Sequence, residues 1–480
     1  MVSMLLRFPI CEPSRVECQS DGASDSFMLI ILILLIFGFC ISAQQNAPEA
    51  TSPPPVGTIA FVDVKLVPMD AERVVSHQTV IVQGRQIVQI GPEATTEVPA
   101  GARRIDGHGT LYLMPGLADM HSHASRQDDL TLYVANGVTT ILTLGNTPEI
   151  FVRETRGRIT SGKEIGPTPY VAFFVDGHPP VDPSFFSVQG EDEARGAVIQ
   201  AKLHGYDFIK VYNNIGNKEF YAILDEARRQ HIAVVGHAVR SVELKDALNA
   251  GQVMVAHGEE YLYMYFHHDR DRTLALKAAQ FTRAAGAYVI PNLSAYEAIS
   301  LQWGKPEQVK AFLTRPEAKF LTPCLRHRWA NDDYVQRAGT LDGNLQFLRI
   351  FTKTLSDTGV PLMLGTDSPN IPGMFAGYSI HDDLRNMVES GLTPYEALSS
   401  GTRIPGQFIA KFVPGAESFG TISIGARADL LLLRNNPMES VNAVREPVGV
   451  MAAGHWMPGS FLRALLDRYA NQFHSAPCDE

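Results

Sequence analysis

From Gly57 to about Gly91 apolar and polar residues alternate in short runs, TIAFVDVKLV and then QTVIVQGRQIVQIG. That period-two rhythm predicts strands with one covered face. Gly84 and Arg85 stand between two apolar runs and predict a hairpin turn. A similar patch returns near the other end, where ISIGARADLLLL is followed by VGVMAAGHWMPG. Two β-rich segments so far apart predict one small sheet domain drawn from both ends of the chain.

The middle has a different rhythm. LMPGLADMHSH (113–123) is the first apolar run, followed by VTTILTL (138–144), PYVAFF (169–174), DFIKVY (207–212) and AVVGH (233–237). VMVAH (253–257), AYVIPN (287–292) and PLMLGTD (361–367) complete the set. Helical patterns lie between many of them. NKEFYAILDEARRQ puts Phe220, Ile223, Leu224 and Ala227 on one face. SVELKDALNAG gathers Val242, Leu244, Ala247 and Leu248, with Gly251 as a stop. TPYEAL offers Thr393 as N-cap, Pro394 in the first turn and Glu396 to complete a capping box. Runs apolar on both faces and alternating with helices predict an α/β protein built on a (β/α)8 barrel. The alternative is a doubly wound open sheet, but no GxGxxG follows the first strand. The expected division is a β-sandwich part at 57–112, the barrel at 113–414 and the second β-sandwich part with the tail at 415–480. The long stretch from Ser294 to about Gly343, with Trp303, Phe312, Phe320 and Trp329, follows the seventh strand. It reads equally as a lid or as packing.

Composition agrees with this picture. The 480 residues are 45% hydrophobic and 19% charged, enough for a large domain and a smaller one. Net charge is −10 without a dense Lys/Arg cluster, so nucleic acid is not an expected partner. Residues 27–43, FMLIILILLIFGFCISA, are uncharged. They read as an export signal, within an apolar leader spanning 1–43, or as a short membrane anchor. Arg7 and Arg15 precede the run and no positive charge follows until Lys65, which places the body outside the cytoplasm. Residues 44–56, QQNAPEATSPPPV, form a flexible tether. Cys11, Cys18 and Cys40 lie in the leader, and the spacing of Cys324 and Cys478 fits no disulfide framework or zinc knuckle.

Barrel chemistry gathers at the carboxyl ends of the strands. His121 and His123, one residue apart, end the first strand and present two imidazoles side by side. Lys210 lies near the end of the fourth, His237 ends the fifth, His257 the sixth and Asp367 the eighth. Singly, each has an ordinary alternative: a core histidine, a capped turn, a lysine paired with a carboxylate. Together they point to a metal centre. An ammonium at Lys210, between Phe208 and Tyr212 in a barrel interior, is costly. A depressed pKa frees the amine to combine with carbon dioxide, and the resulting carbamate is an anionic ligand able to bridge two ions.

HSH, Lys210, His237, His257 and Asp367 resemble the metal-ligand set of the amidohydrolase superfamily in its two-metal, carboxylated-lysine form. TVIVQGRQIVQIGP and GTISIGARADLLLLRNNP resemble its composite β-sandwich. GVTTILTLG, GTDSPNIPG and GLTPYEAL are most similar to its imidazolonepropionase-related and Xaa-Pro-dipeptidase-like hydrolases. The resemblance implies two divalent ions, zinc by ligand preference, and cleavage of a C–N bond in a small or dipeptide-like substrate. His121, His123 and Asp367 would hold one ion, His237 and His257 the other, with carbamylated Lys210 between them. A shared water would ionise near pH 7, roughly as in zinc hydrolases. Asp367 would take its proton and pass it to the leaving amine. Deaminases of the superfamily carry a glutamate shortly after the fifth-strand histidine; here the stretch is His237-Ala-Val-Arg240, which favours hydrolysis. Tyr212, His178, Arg240, Asn292 and His381 are the candidate substrate contacts, and self-association is common among such relatives. A lactone or ester hydrolase on the same metals and a non-catalytic metal-binding relative are the alternatives.

Overall fold

The computed structural model describes residues 53–472. The apolar segment 27–43, most of the tether, the tail from 473 onward and the cysteines other than Cys324 lie outside them. Among the described residues no helix is long and apolar enough to cross a membrane. Cys324 is disulfide-bonded, which the cysteine spacing does not forecast.

The first strands are β1 (Thr58–Leu66), β2 (Val75–Gln83), β3 (Gln86–Pro92), β4 (Arg103–Asp106) and β5 (Tyr112–Pro115). β2 and β3 form the expected hairpin, with Gln83 opposite Gln86 and Gly84 at φ 60° in the turn. Next come β6 (Leu117–Ser122), β7 (Val138–Thr143), β8 (Thr168–Gly177), β9 (Ser187–Val188), β10 (Phe208–Val211), β11 (Ala233–Gly236), β12 (Gln252–Ala256) and β13 (Tyr288–Ile290). β14 (Leu430–Leu433), β15 (Gly449–Ala452) and β16 (His455–Pro458) follow near the other end. One mixed sheet runs β16-β15-β14-β5-β1-β2-β3 with β4 beside β1, so both ends of the chain contribute to it. Its covered face packs Phe61 edge-on against Trp456 at 5.1 Å, among Val80, Ile87, Leu430 and Met451.

The second sheet is parallel and runs β13-β12-β11-β10-β8-β7-β6. The first apolar run of the barrel is in fact divided: Tyr112–Pro115 joins the mixed sheet, and Gly116 separates it from β6. The predicted eighth strand is irregular. Residues 361–368 fill the gap between β13 and β6 through bridges from Leu362 to Val289 and from Ser368 to Ser122. Leu364 donates to the Ser400 carbonyl instead of a strand neighbour, and Asp367 takes φ 60°, so no continuous ladder forms. The parallel barrel is nearly closed rather than evenly eight-stranded.

Inside it Phe208, Met254, Tyr288 and Met363 are buried, and the helix Arg403–Phe412 closes the end from which the strands start, Phe408 stacking on Phe208 at 5.4 Å. The predicted surface helices form at Asn217–Gln230 and Leu244–Ala250, with Gly251 ending the second at φ 120°. Thr393 and Glu396 make both bonds of the capping box. After β13 the helices Leu293–Gln302, Pro306–Leu313 and Pro323–Ala330 cover the loop that follows Asp367; Trp329 is fully buried and donates to the Pro369 carbonyl at 3.3 Å.

Candidate metal centre

His121 ends β6 fully buried, and His123 follows it with its ring 5.6 Å away and nearly parallel. Asp367, from the irregular eighth segment, brings Oδ1 to 3.4 Å from His121 Nε2 and 2.7 Å from His123 Nε2. Ligand atoms of the three lie within 4.8 Å of one another, a geometry that could hold a cation. Asn292 sets the tautomer of His121. Its Nδ2 donates to the Gly365 carbonyl at 2.7 Å, leaving Oδ1 to accept from His121 Nδ1 at 3.3 Å. The lone pair of His121 is therefore on Nε2, the nitrogen that faces Asp367 and has no hydrogen-bond partner.

A second group stands beside the first. The His121, His257 and His237 rings succeed one another at 4.5 and 4.6 Å. Lys210, 1% exposed, points inward from β10 on the face of Phe208. Gly236 makes room for it: at φ 128° a Cβ would stand 2.4 Å from the Val211 carbonyl and 2.7 Å from Lys210 Cδ. His257, Asn292 and Asp367 all sit in the left-handed region at φ 74°, 50° and 60°, where non-glycine residues are uncommon. Such backbone at three loop starts aims side chains back over the strand ends.

Electrostatics suits cation binding. Burial drives His121 and His237 well below the ordinary imidazole range, helped by the neighbouring Lys210. Burial also takes His257 down to about 3, against the pull of Asp367. Neutral imidazoles are the ligating form. Burial lowers Lys210 to about 8, with Asp367 and Glu260 opposing. Burial raises Asp367, but the field and hydrogen bond of His123 outweigh it and hold the carboxyl below its usual value. His121 Nε2 and His237 Nδ1 are buried without hydrogen-bond partners. Orphaned neutral nitrogens around an ionised carboxylate fit divalent ions.

Above this cluster opens a cavity of about 310 Å³. Of the expected substrate contacts, Tyr212 and Arg240 line it. Asn292 does not reach it and supports His121 instead. His178 is exposed beyond β8, and His381 is buried on the helix Ser379–Glu389; neither lines the cavity. His178 lies in a surface loop, and the helical register turns His381 into the packing beneath. Trp303 and Tyr334, from the stretch after β13, form part of the wall, which puts that stretch at the mouth.

Several buried carboxylates escaped sequence reasoning. Asp119 accepts from the backbone N–H of His121 and of Thr366, both at 3.1 Å, and from the Thr366 hydroxyl at 2.6 Å. Asp383 accepts from Ser294 and from Gly365 N–H. Glu260 accepts from Ala238 N–H at 3.2 Å and places Oε1 3.8 Å from His237 Nε2, while Glu259 Oε1 is 3.6 Å from His257 Nδ1. Burial raises Asp119 and Glu260 to about 7 and Asp383 to about 6. The available signals were an acid two residues before the HxH pair and two acids directly after VAHG.

The amidohydrolase family model matches residues 112–457. Comparison with curated proteins found no match. Among solved structures, a bottromycin amidohydrolase is 23% identical with a TM-score of 0.68, covering 86% of this chain and 90% of its own. A Xaa-Pro dipeptidase with methionine bound in its active site is 21% identical with a TM-score of 0.63, covering 84% and 100%. A prolidase in complex with N-methylphosphonate-L-proline is 19% identical with a TM-score of 0.62, covering 84% and 99%. At these identities the likeness shows the fold.

Proposed function

Because the chain belongs to the amidohydrolase family, we propose that it is a metal-dependent hydrolase cleaving the C–N bond of a small, dipeptide-like substrate. The observation that carries this is the convergence of His121, His123 and Asp367 within 4.8 Å, with Asp367 also lining a cavity shared by His237 and His257. One divalent ion would be held by these three, a second by His237 and His257, with Lys210 as a carbamate between them. When bound, such ions, zinc by ligand type, supply Lewis acidity and an activated water. Asp367, kept ionised by its histidine neighbours, accepts the proton of that water and returns it to the leaving nitrogen. Without that proton an amine leaves poorly. Arg240 at the rim is placed to pair with a substrate carboxylate, and Tyr212 packs against His237 at 4.3 Å. The cavity volume suits a ligand of amino-acid or dipeptide size, in keeping with the methionine and the proline phosphonate held by two of the structural neighbours.

The test is a screen of metal-loaded protein against dipeptides, N-acyl amino acids, cyclic amides and lactones. Turnover of the C–N substrates, abolished in His121→Ala and Asp367→Asn variants that remain folded, is the expected result. Undiminished activity in metal-free protein, or turnover confined to lactones, would defeat the reading. The uncharged segment 27–43 supports export of the enzyme, and recovery of the tagged chain only from the cytoplasmic fraction would count against that part.

A further inference from the structure

Two adjacent acids, Glu259 and Glu260, line the cavity, and they are not equivalent. Glu260 is committed: Oε2 accepts from Ala238 N–H and Oε1 faces His237. Glu259 turns Oε1 toward His257 at 3.6 Å, but its Oε2 is buried without a partner. No Lys or Arg pairs with Glu259 among the described residues. A carboxylate oxygen stripped of water and given no donor is costly unless a ligand brings one.

The wall around it is aromatic. Tyr263, Trp303 and Tyr334 line the cavity together with Glu259, and Arg240 lines it with Tyr212, His237 and Glu260. The cavity is therefore lined by acidic side chains, aromatic rings and the guanidinium of Arg240. A buried carboxyl group in a cavity that aromatic rings also line is a chemical match for an ammonium group, through charge-assisted hydrogen bonds and cation–π attraction. The position of Glu259 beside His257 puts that match next to the reacting centre. An α-ammonium lies one carbon from the scissile carbonyl, while a side-chain ammonium is held several bonds further away.

Resting on the hydrolase reading above, we infer that Glu259 forms an ammonium subsite, so that the enzyme selects peptide-like substrates with an unblocked α-amino group. N-acylated amino acids satisfy Arg240 but leave the Glu259 oxygen unpaired, and a site built for a donor rejects the analogue lacking it.

The test pairs methionyl-proline with N-acetylmethionyl-proline on the metal-loaded enzyme. Wild type should favour the free amine by about 100-fold or more in kcat/KM. In Glu259→Gln the ratio should fall to within about 10-fold, mostly through KM, and Glu259→Asp should restore part of it. Calorimetry with L-methionine and N-acetyl-L-methionine supplies a readout without turnover: wild type binds the free amino acid more tightly and the glutamine variant loses the difference. If neither dipeptide is cleaved yet the Glu259-dependent preference for methionine persists, the hydrolase reading fails and the subsite stands. Equal use of both dipeptides, or equal loss on both in Glu259→Gln, overturns the subsite. Efficient cleavage of Nα-acetyl-lysyl-proline, with only its ε-ammonium, would overturn the α-amino assignment.

Discussion

Replacing Asp119 with asparagine isolates the energetic cost of one buried charge. The carboxyl is sealed from solvent and accepts three hydrogen bonds, from the backbone of His121 and from the backbone and hydroxyl of Thr366, none of them from a cation. Burial raises its pKa from an ordinary 3.8 to about 7. That rise corresponds to about 4 kcal/mol between the protonated and ionised forms. The folded pKa lies above the unfolded one, so from about pH 4 to 7 the folded chain holds a proton that the unfolded chain has lost. Stability of the metal-free protein therefore falls as pH rises through that window. Asparagine keeps one oxygen for the two N–H donors and offers its NH₂ to the Thr366 hydroxyl, without titrating. The assay is urea unfolding of metal-stripped wild type and Asp119→Asn at pH 4.5, 6 and 8, with other titrating groups cancelling in the difference. The stability of the variant relative to wild type should grow by up to about 4 kcal/mol across the series. With cations bound, the carboxylate is favoured and the gap should shrink. A difference that stays flat with pH in the metal-free protein would refute the reasoning. So would a loss of folding in the asparagine variant.

Other perturbations address separate links. Lys210→Met should lower metal content measured by elemental analysis and remove activity; in wild type, reconstitution with metal and bicarbonate should quicken as pH passes about 8, where Lys210 becomes a neutral amine. Gly236→Ala puts a Cβ against the Val211 carbonyl and the Lys210 stem, so it should cost roughly 1–3 kcal/mol in denaturant unfolding and reduce metal uptake. Thr393→Ala removes a capping box remote from the centre and should cost about 1 kcal/mol while metal stoichiometry holds. Arg240→Gln should raise KM about 10- to 100-fold for substrates ending in a carboxylate and narrow their advantage over the corresponding amides.

The barrel was legible because parallel strands covered by helices leave a strong mark: mostly apolar runs, with histidines and carboxylates gathered toward the ends of several. That rule pointed to His121, His123, Lys210, His237, His257 and Asp367, and the structure puts them near the strand ends. The irregular eighth segment was not, since PLMLGTD reads as a strand whether or not Leu364 finds its acceptor in Ser400. Asn292 was read as a substrate contact; the left-handed backbone that turns it under His121 has no sequence mark beyond asparagine's tolerance for it. Glu259 and Glu260 escaped because carboxylates were sought after the fifth strand, whereas the fold brings them across from after the sixth. His178 and His381 lie away from the cavity: a histidine near a strand end in sequence can face solvent or a helix interface.

The mixed sheet also bears on how the protein is made. β14 holds β5 in register, Leu431 against Met114, and only Gly116 separates β5 from the strand that carries His121. The first strand of the barrel is thus anchored by a segment translated long after it. Until residues 430–433 emerge, β5 is held on one side only, by β1.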